Sequence, residues 1–210
     1  MKLYDWSIAP NPRRVRIYLR EKAIDIAIEE AGYPDKPILK PDYLAAHPHR
    51  RVPLLVLDDG TEISEAMAIC RYFETLYPEP ALMGGDARER AIVEMWERMA
   101  EWEGMVAVSE VFRNSKRSFT DRGVAGSAEP MPQIPALVER GMQRVGLFFD
   151  KFNTQLAHNE FLAGDKFSVA DITTLCVIDF AILVGLEIPE TCPDVARWHA
   201  SVSARPSAKS

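Results

Sequence analysis

The pattern of apolar and polar positions changes character once along the chain, near Pro78. Upstream it is mixed. Residues 2–6 form a short apolar segment suited to a strand, and Pro10 and Pro12 then precede Val15, Ile17, Tyr18 and Leu19, a spacing that predicts a helix with proline in its first turn. Ile24, Ile26 and Ile28 alternate with Asp25, Ala27 and Glu29, a period of two that predicts a strand. The polar stretch 32–51 reads as a loop with a short helical piece at 43–46. An apolar run at 54–57 ends at Asp58-Asp59-Gly60, a hairpin signal, with 61–64 as the returning strand. From 65 to 77 the pattern is helical, and Pro78 stops it.

Beyond a proline- and glycine-bearing linker at 79–86 no strand is predicted. Residues 87–111 read as one long helix with Ile92, Met95, Trp96, Met99, Trp102 and Val106 on its apolar face. Residues 113–135, rich in Ser, Gly and Pro, read as a loop or lid, and 136–156 as a helix. Ser168-Val169-Ala170-Asp171 has the form of a capping box opening an apolar helix at 172–183, and a last helix is predicted at 195–204. The expected architecture is α/β plus all-α: a βαβ-ββα domain at 1–78, the linker at 79–86, and a helical bundle at 87–210.

Charge narrows the partners. The chain has 210 residues, with 25 Lys and Arg against 31 Asp and Glu, a net charge of −6. That balance argues against nucleic acid or an anionic membrane as the main partner, although Arg13, Arg14, Arg16 and Arg20 form a local basic exception. No uncharged apolar run is long enough to span a bilayer, and the early Asp5 does not suit a secretory signal. Three dispersed cysteines, Cys70, Cys176 and Cys192, without a CxxC pair, suit inert core thiols in a reducing, cytoplasmic setting. His47-Pro48-His49 lacks further ligands at metal spacing, so no metal is expected.

The run from Val52 to Ile69 (Val-Pro, an apolar strand, Asp-Asp-Gly, then Glu65-Ala66-Met67-Ala68-Ile69) resembles the signature of glutathione transferases. Ala9-Pro10-Asn11-Pro12-Arg13-Arg14-Val15 resembles the first strand-to-helix turn of bacterial members, and Phe167-Ser168-Val169-Ala170-Asp171 the capping motif of their helical domain. The resemblance implies a thioredoxin-like domain, a helical domain, a homodimer, and glutathione as co-substrate.

Physical chemistry gives each motif a second reading. The local pattern leaves Val52–Pro53 open between trans and cis, and the resemblance favours cis. A cis bond would leave the Val52 peptide group free to pair with an extended peptide, whereas a trans bond would make Pro53 an ordinary strand-edge proline. Glu65 and Ala66 open a helix whose free N–H groups suit a carboxylate, while Glu65 is equally readable as a residue complementing the helix dipole. Arg51 is placed for a second carboxylate, or is a solvated loop charge. The resemblance also exposes departures: Ala9 stands where serine-type members carry the catalytic hydroxyl, Ala66 where a serine usually binds the ligand, and neither Tyr4 nor Ser7 sits at a matching position. Asn11, at the mouth of the first helix, resembles the Asn that a related bacterial subgroup uses there, which implies a thiolate donor assisted by the helix N-terminus and Arg13; by its own pattern it is equally a turn former in an Asn-Pro pair. Trp102, Met105, Ser109 and Phe112 are candidates for an apolar second-substrate pocket, or are core; Ser168 and Asp171 are assigned to folding. The expected activity is transfer of the glutathione thiolate to a small apolar electrophile. A glutathione-dependent disulfide reductase and a non-catalytic binding or assembly module are the alternatives.

Overall fold

The computed structural model describes residues 1–210, the side chain of Pro37 excepted. Its sheet has the order β2-β1-β5-β6, formed by β1 (Lys2–Asp5), β2 (Ala27–Glu30), β5 (Leu54–Val56) and β6 (Glu62–Ser64). β2 runs parallel to β1, joined to it through α1 (Pro10–Glu21), whereas β5 and β6 form the antiparallel hairpin expected at Asp58-Asp59-Gly60. A second hairpin, β3 (Gly32–Tyr33) with β4 (Lys36–Leu39), and α2 (Pro41–Ala46) fill the stretch that reads as loop. A two-residue strand has no period to read. β2 also begins later than the isoleucine alternation suggests: Ile24 and Ile26 pack on the core ahead of it, and Ile28 lies exposed on this edge strand.

α3 (Ala66–Leu76) packs beside α1. The segment that follows is tied rather than loose. Buried Lys22 donates to the carbonyls of Tyr77 (2.6 Å) and Pro80 (2.7 Å) and pairs with Glu74 at 2.7 Å, and Val169 N–H donates to Leu82 at 3.0 Å. Asp86 caps α4 (Ala87–Met99) by accepting from Glu89 N–H at 2.8 Å.

The long helix predicted at 87–111 is interrupted in its winding. α4 passes through a π-helical segment, Ala100–Met105, into α5 (Val106–Ser115). Val93, Glu97, Ala100, Gly104, Val108 and Val111 form the buried row, while Met95 and Trp102 of the expected apolar face are exposed. Gly104 is required where this segment meets its neighbours: an added Cβ would lie 2.7 Å from Val177 and 2.9 Å from Phe148, both buried. Gly104→Ala is therefore expected to destabilise the protein by about 1–3 kcal/mol, readable by thermal or urea unfolding.

α6 (Pro135–Leu156), α7 (Val169–Leu183) and α8 (Pro193–Ser203) complete the helical part. α7 is its axis, buried over almost its whole length, and it contacts α1 as well as α4 and α8. The Ser168/Asp171 capping box is present as expected. One apolar cluster runs from Leu3, Val15 and Phe73 through Phe148 and Phe152 to Ile178 and Trp198, so the two parts share a core.

Candidate active site

Register brings three chain segments to one end of the sheet. Tyr4 of β1 lies opposite Leu54 of β5, and Leu54 lies opposite Ser64 of β6. The start of β5, the end of β1 leading into α1, and the end of β6 leading into α3 therefore share one rim. The Val52–Pro53 bond there is cis, as the resemblance implies. Among the described residues neither the N–H nor the C=O of Val52 has a hydrogen-bond partner, so both are available to an added strand.

At the mouth of α1, Ala9 is the N-cap and provides no side-chain bond. Pro10 and Pro12 lack N–H groups, and Arg13 N–H turns back to Ala9 at 3.3 Å. The donors left in this first turn are those of Asn11. Arg14 Nη1 donates to Asn11 Oδ1 at 3.0 Å, and because a guanidinium only donates, it fixes the amide with its NH₂ group turned away as a donor. Arg14 is fully engaged beneath it, donating also to Thr173 Oγ1 (3.1 Å), Glu97 Oε1 (2.6 Å) and Glu101 Oε1 (3.0 Å). Glu97 is wholly buried, its Oε2 has no partner, and burial pushes its carboxyl up to about 6 despite Arg14.

Arg13 does not serve this site. It pairs with Asp179 at 2.5 Å and donates to the Ala208 carbonyl at 2.9 Å, because its position on α1 faces α7 and the C-terminal turn. The nearby hydroxyls are likewise engaged elsewhere: Ser7 Oγ donates to Glu30 at 3.3 Å, and Tyr4 packs against Tyr43 and His47.

At the mouth of α3, Glu65 is the N-cap with φ +70°, a left-handed conformation that costs a non-glycine residue about 1–3 kcal/mol and recurs at functional sites. It does not open the helix from within its first turn; Ala66, buried, does. The exposed Glu65 carboxylate meets Arg51 at 3.5 Å. A cavity of about 290 Å³ is lined by Pro48, His49, Arg51, Ser64, Glu65 and Gly126.

Gly126 comes from the stretch that sequence leaves as an unplaced loop. Asn114 and Gln133 tie its base: Asn114 Oδ1 accepts from Ile134 N–H at 2.8 Å, and Gln133 Nε2 donates to the Arg113 carbonyl at 2.6 Å. Its tip reaches across to the rim, where Arg51 Nη2 donates to the Ala125 carbonyl at 3.2 Å. A Cβ at Gly126, whose φ is +78°, would meet Arg51 Nε at 2.7 Å, so the tip closes on Arg51 without room to spare.

The second-substrate candidates separate. Trp102 stands on the outer surface with Arg98 5.6 Å above its ring, and Met105 is absorbed into the core, because the π-helical segment rotates this stretch relative to the expected face. Ser109 is half-buried. Phe112 is half-buried and stacks on Phe119 (4.6 Å) and Phe180 (5.2 Å). The cysteines are free and buried, and burial pushes Cys70 up to about 12 and Cys176 up to about 11. Arg14, Glu97 and Arg113 are the residues that sequence reasoning passed over.

An amide donor at Asn11, an unpaired Val52 peptide group and the mouth of α3 share one rim, on a mixed sheet joined to a helical bundle. The chain matches the family models for the glutathione S-transferase N-terminal domain over residues 3–81 and C-terminal domain over residues 120–206. It is 33% identical to glutathione S-transferase 2 of Saccharomyces cerevisiae over 212 residues, covering 100% of this chain and 88% of that one. Among solved structures it resembles a glutathione S-transferase domain-containing protein of Marinobacter aquaeolei VT8 (TM-score 0.85, 35% identity, 99% of both chains). It also resembles a class Gtt2 glutathione S-transferase of Vibrio parahaemolyticus (TM-score 0.83, 35% identity, 100% and 96% of the two chains). The chain belongs to the glutathione S-transferase family. Membership supports glutathione transferase activity in general, with glutathione as co-substrate. No helix among the described residues is long and apolar enough to cross a membrane.

Proposed function

We propose that this chain transfers the glutathione thiolate to a small electrophile with an apolar body, using Asn11 as the thiolate donor. The observation that carries the reading is the Asn11 amide, held donor-outward by Arg14 in a helix turn stripped of other donors by two prolines. In this reading residues 1–78 hold glutathione, 79–86 link, and 87–210 cover the site. Val52, beside Pro53, pairs with the cysteinyl peptide group of glutathione. The free N–H groups of α3 starting at Ala66 take the γ-glutamyl carboxylate, Glu65 meets the ammonium group, and Arg51 takes the glycine carboxylate. The thiol proton leaves to solvent as the Asn11 amide and the α1 dipole stabilise the thiolate. Sulfur attacks the electrophilic carbon, the C–S bond forms, and the leaving group departs with its electron pair. Phe112, half-buried against Phe119 and Phe180, provides apolar wall for the second substrate; Trp102 is exposed and Met105 packs in the core, which favours the core reading for Met105.

We further read the protein as a cytoplasmic homodimer. Met95 and Trp102, both exposed on the long helix, support an apolar contact between copies.

Asn11→Ala tests the assignment. Loss of one hydrogen bond to a charged sulfur is expected to lower kcat/KM with 1-chloro-2,4-dinitrobenzene by about ten- to a hundredfold. The glutathione KM should move little, and the ultraviolet thiolate absorbance of the bound tripeptide should shift to higher pH. Unchanged turnover with both this arene and hydroxyethyl disulfide would remove Asn11 from the mechanism.

A further inference from the structure

Several buried and half-buried cations of this chain are matched by carboxylates: Arg13 by Asp179, Arg14 by Glu97 and Glu101, Arg16 by Asp5, Lys22 by Glu74, and Arg144 by Glu110. Arg113, at the end of α5 where the loop departs, is half-buried and is not so matched. Among the described residues no carboxylate lies within ion-pair distance of it. Its Nη1 donates to the Arg122 carbonyl at 3.1 Å, and its guanidinium lies 5.1 Å from the centre of the Phe119 ring, with that of Arg122 4.8 Å from the same ring. Burial and the like charges of Arg122 and Arg51 all push the Arg113 guanidinium down from its usual range.

The place is telling. Phe119, which carries both guanidinium groups, packs on Phe112, the apolar wall of the proposed second-substrate site. Arg51, whose charge Arg113 senses, belongs to the rim and is bound by the same loop at Ala125. A half-buried Arg113 guanidinium on an aromatic wall with no carboxylate against it is unfavourable in the empty protein and favourable toward an anion.

We propose that the second substrate carries an anionic group, a carboxylate or sulfonate, on its apolar body, and that Arg113 receives this group beside the Phe112–Phe119 wall. The proposal rests on the transferase reading above and goes beyond it by naming the charge of the electrophile. Arg51 is taken by the glycine carboxylate in that reading, which leaves Arg113 for the second substrate.

The test compares two activated aryl chlorides that both lose chloride to the thiolate, neutral 1-chloro-2,4-dinitrobenzene and anionic 4-chloro-3,5-dinitrobenzoate. Each rate is divided by that of the free glutathione thiolate in solution. The protein is expected to favour the benzoate, and the preference is expected to fall about tenfold in Arg113→Met, to return in part in Arg113→Lys, and to shrink as salt is added. A preference that Arg113→Met leaves unchanged overturns the proposal while leaving the transferase reading in place. So does an equal rise in glutathione KM with both arenes, which would assign Arg113 to glutathione. If neither arene is turned over, the transferase reading fails, and the anion site is judged by fluorescence titration with anilinonaphthalene sulfonate. Weaker binding to Arg113→Met than to the parent supports the site, and equal binding ends it.

Discussion

Asp171→Ala is expected to destabilise the protein by about 3–5 kcal/mol, a large part of the about 5–15 kcal/mol that holds a typical native state. Asp171 is fully buried at the start of α7. Its Oδ1 accepts from Leu162 N–H and Trp198 Nε1, and its Oδ2 from Ser168 N–H and Ser168 Oγ, all at 3.0 Å. Truncation strands three N–H donors away from water, each costing about 1–3 kcal/mol. Trp198 loses the only polar anchor described for its indole, so α8 loosens from α7 along with the cap. For a chain of this size each kcal/mol lowers Tm by about 2–4 °C, so a drop of about 10 °C or more is expected by calorimetry. Asp171→Asn keeps one acceptor oxygen and is expected to fall between. A drop of only a degree or two would mean that water takes over these donors and that the cap is dispensable.

This cap was legible in sequence because it is local. Four consecutive residues bond to their own backbone, so Ser168 and Asp171 announce it without knowledge of the rest of the chain. The sheet hairpin around Gly60 is legible for the same reason. The long helix shows where local reading ends. Its existence follows from its periodicity, but its phase depends on a π-helical segment, Ala100–Met105, whose Gly104 packs against Val177 and Phe148, residues more than 40 positions away. The site candidates Trp102 and Met105 are read on a straight helical period, and along the real winding Trp102 lies exposed and Met105 lies in the core. The tip of the loop carrying Gly126 was beyond reach, since the bond holding it runs from Arg51 to Ala125, across the two halves of the molecule.

Arg14 is the instructive omission. In sequence it is one of four arginines in a short basic stretch, and a charge run normally reads as a solvated face. Yet it stands three and four positions before Ile17 and Tyr18, on the buried side of α1, and Glu97 stands four after Val93 on the buried side of α4. Charged residues on two apolar stripes, one of each sign, are a signal that the stripes meet, because neither charge can be buried without the other. Here they join the two halves of the molecule directly beneath Asn11.

Arg14→Met is accordingly expected to cost about 3–5 kcal/mol at neutral pH, because it removes the charge partner of buried Glu97, which must then take up a proton or stay charged without its guanidinium. Its second effect separates it from a merely structural change. The Asn11 amide loses the group that fixes its orientation, so kcat with a neutral electrophile should fall even below the unfolding transition, where the protein is still folded. Glu97→Gln provides the pH readout. The Glu97 carboxyl is pushed up to about 6 by burial first, with Glu101 and Glu94 adding repulsion against the attraction of Arg14 and Arg71, and its Oε2 has no hydrogen-bond partner. The native state thus holds the Glu97 proton more tightly than the unfolded chain, whose glutamate titrates near 4.3. Stability from Glu97 is therefore greatest below that value and declines as pH rises toward about 6, by on the order of 2 kcal/mol. Asp171, pushed up to about 6 by its own burial, titrates in the same window and is present in both proteins, so the difference between parent and Glu97→Gln isolates Glu97. Urea unfolding at intervals between pH 4.5 and 6.5 is expected to give a flatter profile for Glu97→Gln. Parallel profiles would show that Glu97 stays ionised throughout, and that Arg14 outweighs the burial that raises it.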